Sequence, residues 1–366
     1  MENASKNTYC PDYAIPPGET LAEVIHDRGM TQAELAERMG RPTKTINEIV
    51  KGKAAITPET AIQLERVLGV PARFWNSLEK NYREDLARIQ ETEKLRNGGE
   101  WLGHFPLKAM AEHGWLSLTD DIGENVGRVL QYFGVASIAV WEKHWLRISN
   151  TPAGLAFRKS AKYEVDIYAL AAWLRQGEIK AEKITLKEFD KQKFQQAVKD
   201  LRKCVNTTPS DFQSELVKKC AKCGVAVVFT RELPHVPVSG ITRWPCTNHA
   251  IIQLSLRYKT DDQFWFSFFH EVGHVILHGK RDFAYEEDTE AWEREANDFA
   301  AEMLIPRSAY NYFTQRKSYT ANRIKAFAQS QGITPGIVVG RLQHDRQLPF
   351  ASPLNKLKIH FRWADK

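Results

Sequence analysis

The sequence predicts an α+β multidomain protein, with an all-α domain at its N-terminal end and a mostly helical second domain that includes a small β-sheet. Three observations carry this. Residues 19–80 break into short helical segments bounded by capping residues and glycines. Two β-rich runs, GVAVVFT (224–230) and HAIIQLSL (249–256), occur late in the chain. Soon after the second comes FSFFHEVGHVILHG (266–279), an apolar helical run enclosing His270, Glu271 and His274.

The chain of 366 residues is long enough for two or three domains. No apolar run approaches the roughly 18 residues of a membrane span, and the first residues carry no basic-then-apolar leader. A cytoplasmic protein is expected, with no membrane partner. Five cysteines in this length suit a reducing compartment and no disulfide framework. The net charge of +6 is compatible with nucleic acid but is not concentrated at the N-terminus. Residues 1–80 hold 10 basic side chains against 11 acidic ones, so any DNA contact must come from a local patch.

Within that segment, ETLAEVIHDRG places Leu21, Val24 and Ile25 on one stripe and stops at Gly29. TQAELAERMG opens with Thr31 and has Glu34 three residues later, a capping box that satisfies two N–H groups reciprocally. Gly40 is a left-handed C-cap candidate. TKTINEIVKG follows Pro42, with Thr43 as cap and Ile46, Ile49 and Val50 turned inward. TPETAIQLERVLG has Thr57 as cap and Pro58 at the first helical position.

Two short helices joined by a tight turn make a helix-turn-helix, with the second helix as the reader. From Arg38 to Lys53 there are five basic residues against one acid. Arg41 and Lys51 suit phosphate contacts, Thr43 sits at the helix start, and Lys44, Thr45 and Asn47 can reach base edges. A helical bundle whose polar face merely meets solvent would share this spacing. The stretch from PPGETLAEVIHDRG to FWNSLEKNYRE, about residues 16–85, closely resembles the DNA-binding domain of HigA-type antitoxins, in the Cro/repressor-like (XRE) class. That resemblance implies a lambda repressor-like fold and a homodimer on double-stranded, palindromic operator DNA.

Farther along, REDLARIQETEKLRNGGEWLG reads as a charged exit helix broken at Gly98-Gly99. Helical stretches alternate with polar turns over 101–220, without repeats. The apolar stripe of AKYEVDIYALAAWLRQG, with its aromatics, reads as core. Cys220-x-x-Cys223 lacks a second pair, and a structural role is expected. The segment between the two β-rich runs, with Gly240, Arg243 and Trp244, reads as a loop.

On a helix, His270 and His274 share one face a turn apart and can grip one metal ion, with Glu271 beside it able to take a proton from water. A catalytic zinc wants a third protein ligand and an open position. Glu290, Glu293, Glu295 and Glu302 lie on a second helix, TEAWEREANDFAAEMLIP, where Ala296, Phe299 and Ala300 face the core and Glu295 adjoins them. A third histidine of the HExxHxxGxxH kind is excluded by Leu277 and Lys280, and His278 lies too far along for one ion to bind it together with His270.

Residues 225–306 resemble the ImmA/IrrE metallopeptidases, through HEVGH and through EANDFAAEMLIP (295–306). The resemblance implies a zincin-like, gluzincin core that binds Zn2+. His270, His274 and Glu295 would be the ligands and Glu271 the general base, with Glu293 as rival third ligand if the register differs. The implied organisation is an arm (1–15), a helix-turn-helix domain (16–85), a helical middle (86–220), a peptidase core (221–310) and a C-terminal helical region with the basic tail NKLKIHFRW (311–366), where a closing strand is expected.

Two functions fit. One is a DNA-binding regulator whose zinc endopeptidase domain cuts a repressor, antitoxin or toxin partner, or itself. The alternative is a non-catalytic HigA-like antitoxin and autorepressor that uses the zincin fold as a toxin- or ligand-binding platform.

Overall fold

The computed structural model describes residues 13–146, 165–206, 209–279 and 289–363. Most of the expected N-terminal arm and the 280–288 connection after the His-Glu motif lie outside the described residues. The chain divides into two compact units, one comprising residues up to Gly99 with Thr119–Gly127, the other comprising Glu100–Leu118 and everything from Arg128 onward.

The first unit is built on α1 (Pro17–Asp27), α2 (Gln32–Met39), α3 (Thr43–Val50), α4 (Pro58–Leu68) and α5 (Ala72–Leu95). Leu21, Ile25, Leu35, Ile46, Ile49, Leu64 and Trp75 form its core. The capping box at α2 is complete: Thr31 N–H donates to Glu34 Oε2 (2.7 Å) and Glu34 N–H donates to Thr31 Oγ1 (3.2 Å). Gly40 and Gly69 take the left-handed conformation that ends α2 and α4. Thr57 caps α4 by accepting from Thr60 N–H.

One expectation changes here. Pro42, already extended, occupies the cap position of α3, so Thr43 is the first helical residue and caps nothing. The expected exit helix forms the second half of α5. α5 runs unbroken through the boundary expected at residue 85, with the i,i+4 pairs Arg83–Glu79, where Glu79 is buried, and Arg88–Glu84, on its exposed side.

Along the remainder run α6 (Gly99–Gly103), α7 (Leu107–Glu112), α8 (Ile122–Phe133), α9 (Ile138–Trp141), α10 (Ile167–Ala181), α11 (Lys191–Leu201), α12 (Pro209–Ala221), β1 (Val225–Phe229), β2 (Gly240–Cys246), β3 (His249–Leu254), α13 (Asp261–Gly273), α14 (Thr289–Leu304), α15 (Arg307–Thr314), α16 (Ala321–Gln331) and α17 (Pro335–His344). In the second unit Trp101, Phe105, Phe133, Trp141 and Trp145 pack edge-to-face. α10 buries Ala169 to Leu174 consecutively, more than one stripe. The Cys220 and Cys223 thiols are buried in the core, and burial raises both above the usual thiol range.

The sheet has the order β1-β3-β2, with β1 parallel and β2 antiparallel to β3. β2 is the segment expected as a loop. It lacks an apolar run and contains Pro245, which a strand tolerates at a sheet edge because no ladder N–H is needed there. Its irregular pairing between Arg243 and Cys246 further hides it from pattern reading. Arg243 is anchored under the sheet by Glu178 of α10 (2.8 Å).

Helices α15 to α17 do not stand apart from the metal-motif helix. Tyr310, Phe313, Ile324, Ala328, Val338 and Leu342 share one core with Phe268, Phe269 and Val272 of α13. The tail makes a single bridge, Thr260 with His360, in place of a closing strand. Lys358 Nζ lies 2.6 Å from the buried Asp262 carboxylate at the start of α13. Gly340 of α17 packs against that same aspartate, where an added Cβ would come within 2.7 Å of Asp262 Cβ. We therefore expect Gly340→Ala to destabilise the second unit by about 1–3 kcal/mol, the usual cost of overpacking. A denaturant titration that detects the burial of the tryptophans in this unit checks it, and an unchanged midpoint would remove the close-packing explanation.

Candidate functional site

α13 begins with two buried aspartates and carries the motif at its far end. Phe264, Trp265, Phe268 and Phe269 anchor its apolar side in the core, and this fixes the opposite side toward α14. Gly273, inside the motif, permits the approach: a Cβ there would lie 3.1 Å from Ala296 Cα. The helix then widens into a π turn over His274–His278, closed by Gly279 N–H donating to His274 C=O (3.1 Å). Single π turns of this kind recur at functional sites.

His270 and His274 meet as expected, their Nε2 atoms 3.0 Å apart. The carboxylate that joins them is Glu293, at 3.2 Å from His270 Nε2 and 3.3 Å from His274 Nε2. Glu295, taken as the third ligand, lies instead on His278 Nε2 at 3.0 Å and is mostly exposed. The reason is helical register. Glu293, Ala296, Asn297 and Ala300 recur at spacings of three and four along α14 and share the face turned to α13, with Ala296 and Ala300 fully buried. Glu295, two residues from Glu293, points elsewhere.

The partner of His270 Nδ1 assigns the proton on that ring. His270 Nδ1 lies 3.0 Å from Asn297 Oδ1, an acceptor, so that nitrogen donates and Nε2 is left with a lone pair. Burial alone would lower the His270 imidazole, but Glu293, Glu271 and Asn297 together raise it above its ordinary value. Burial likewise opposes ionisation of Glu293, and hydrogen bonds to the two histidines outweigh it and hold the carboxyl well below the usual range. Two ring nitrogens and a carboxylate converging on one point ask for a cation between them, a proton or a metal ion.

The donor set fits zinc. His270, His274 and Glu293 have ligand atoms all within 4.8 Å of one another. Ligands about 2.0–2.2 Å from a tetrahedral zinc stand roughly 3.3 Å apart, close to the separations found here. Two histidines and a glutamate leave a fourth position open, as catalytic zinc sites do.

Glu271 is buried beside this cluster, with Thr242 Oγ1 of β2 donating to its Oε2 at 2.8 Å. Burial pushes its carboxyl up, against the pull of His270 and His274. Gly240 makes room for it, since a Cβ there would stand 2.9 Å from Glu271 Cγ. Thr242 and Gly240 were not legible as site residues, because their strand was not. Asn297 had a signal, being four residues after Glu293.

In the first unit the six expected DNA contacts lie on or next to α3. Thr43, Lys44 and Lys51 are exposed, and Lys44 is only loosely paired with Glu48 (3.8 Å). Thr45 and Asn47 are half-buried, and the Asn47 amide donates to Gln32 Oε1 at the start of α2 (3.2 Å). Arg41 is held against α4 by Gln63 (2.6 Å) and Glu59 (3.8 Å).

The helix-turn-helix family model matches residues 22–75. An HTH-type transcriptional regulator of Escherichia coli (strain K12), YddM, is 32% identical over 76 residues, which are 21% of this chain and 79% of the relative. The chain belongs to the helix-turn-helix regulators. Virulence-associated protein I of Dichelobacter nodosus is 36% identical to this helix-turn-helix regulator over 85 residues, 23% of the chain and 77% of the relative. Among solved structures, the Pseudomonas aeruginosa antitoxin HigA with higBA promoter is 29% identical over 22% of this chain and 90% of that chain, with a TM-score of 0.22. The regulator carries a second family match, to the IrrE N-terminal-like domain over residues 222–343, a family of metallopeptidase type. That match takes in α15, α16 and most of α17, the helices that share the core of α13. Among the described residues no helix is long and apolar enough to cross a membrane.

Proposed function

We propose that this helix-turn-helix regulator is a DNA-binding protein whose C-terminal domain is a zinc-dependent endopeptidase acting on a protein partner or on the chain itself. The observation that carries the reading is the convergence of His270, His274 and Glu293, with the buried Glu271 beside them. A bound zinc would supply Lewis acidity toward a peptide carbonyl. His270, oriented by Asn297, and His274 would hold the ion together with Glu293. Glu271 is the proton acceptor for an attacking water and returns the proton to the leaving amine. Thr242 holds the Glu271 carboxyl in place through its hydroxyl.

The test compares protein termini by mass spectrometry in cells with and without the chain. New termini that require the intact His-Glu motif support the reading. If no partner and no self-cleavage is found, the platform alternative stands, in which the site binds metal without hydrolysis.

The DNA-binding half rests on α3, whose Ile46 and Ile49 are buried while Lys44 and neighbouring polar groups face out. The partner is double-stranded operator DNA, bound by a homodimer. Lys51→Ala should weaken binding to operator and random DNA alike and reduce the salt slope by about one. Asn47→Ala should narrow the gap between operator and random DNA by about 1–3 kcal/mol. Equal losses on both DNAs, read by fluorescence anisotropy at several salt concentrations, would show that Asn47 reads no base.

A further inference from the structure

Beyond the convergent cluster, one polar chain leads from it to the surface. His274 Nδ1 lies 3.0 Å from His278 Nδ1, and His278 Nε2 lies 3.0 Å from Glu295 Oε2. With His278 neutral, both links run in one direction. The Glu295 carboxylate only accepts, so His278 Nε2 carries a proton and donates it. A neutral His278 then has a lone pair at Nδ1, which accepts from His274 Nδ1–H. That leaves His274 Nε2 with its lone pair directed at His270 and Glu293. The ring of His278 is buried and stacks on Trp292 at 5.1 Å, with an interplanar angle of 17°. The π turn over His274–His278 belongs to the same device, placing the two rings on successive turns with their Nδ1 atoms facing.

We infer that His278 and Glu295 are positioning residues: a histidine–glutamate relay that fixes the tautomer and ring orientation of His274 and so sets how tightly the site holds zinc. The inference rests on the zinc reading of the site. It gives a role to two residues outside the ligand set, and it accounts for a histidine buried at the end of a π turn. His270 is oriented differently, by a single neutral amide from Asn297. The two ligands are therefore supported unequally, and only the His274 arm reaches an exposed carboxylate.

The test is zinc affinity of the full chain, measured by competition with a chromogenic chelator, alongside the thermal stability of the metal-stripped protein. His278→Phe keeps a ring over Trp292 but deletes the acceptor. It should weaken zinc binding about 10–100-fold, the range seen when an outer partner of a ligand is lost. His278→Gln supplies an amide oxygen to accept and an N–H to donate, and should recover most of that loss. Glu295→Ala, at an exposed position, should weaken binding in the same direction without altering the fold, and it keeps the question open to test if the phenylalanine variant does not fold. Wild-type affinity in His278→Phe or in Glu295→Ala overturns the inference. So does an equal loss in the phenylalanine and glutamine variants accompanied by a fall in metal-stripped stability, which would assign His278 to packing. A wild-type chain that binds no zinc would overturn the zinc reading itself, and the two failures are thereby distinguished.

Discussion

Glu271→Gln is expected to leave zinc content and DNA binding unchanged while lowering cleavage of the partner by about 10²–10⁴-fold, the contribution general acid–base help typically makes. The expectation follows from where Glu271 stands. It is buried and hydrogen-bonded to Thr242, and it does not belong to the group of ligand atoms formed by His270, His274 and Glu293. Glutamine has nearly the same volume and can still meet the Thr242 hydroxyl, so the packing beneath Gly240 is preserved. What it cannot do is take up a proton from water. Cleavage is read as new protein termini in cells producing each variant, with zinc measured on the same preparations. Equal cleavage by wild type and Glu271→Gln would remove Glu271 as the base. An absence of cleavage by both, with DNA binding intact, would leave the site as a metal-holding platform.

Glu293→Ala should leave purified protein without stoichiometric zinc, whereas Glu295→Ala should still retain it on purification. Glu293 is the carboxylate 3.2 and 3.3 Å from the two Nε2 atoms, and its removal leaves two of the three proposed ligands. The loss in affinity should therefore exceed the roughly 10–100-fold that accompanies loss of an outer partner. His270→Ala should behave like Glu293→Ala for the same reason. Elemental analysis of the three variants against wild type decides the matter. Stoichiometric zinc in Glu293→Ala together with its loss in Glu295→Ala would restore Glu295 as the ligand.

This choice between two glutamates shows how far the sequence reaches. The pair His270 and His274 was legible because four residues make about one helical turn, a relation internal to one helix. The third member of the cluster belongs to another helix, and its identity depends on which face of α14 meets α13. Glu293 and Glu295 both adjoin the apolar positions in the sequence. Only the packing of Gly273 against Ala296 shows that the 293–296–297–300 face is the inner one.

The capped helices α2 and α4 were readable for a similar local reason. Thr31 with Glu34, and Thr57 with Pro58, satisfy hydrogen bonds within a few residues of chain. β2 was not readable, because an edge strand with a proline, an arginine and an irregular register has no periodicity of its own. It exists as a strand because β3 pairs with it. With it went Thr242 and Gly240, which reach Glu271 only through that pairing.

Local facts were readable within single segments: the capped starts of α2 and α4, the buried stripes of α1 to α4, the apolar strands β1 and β3, and the face shared by His270 and His274. Capping bonds, apolar periodicity and the helical repeat act over a few residues and leave their mark on neighbouring letters. Relations between elements came from the fold: Glu293 beside His270 and His274, Asn297 on His270, Glu295 on His278, and Thr242 on Glu271. Those contacts arise when distant segments bury apolar surface against one another, and the direction of each polar side chain follows from that burial.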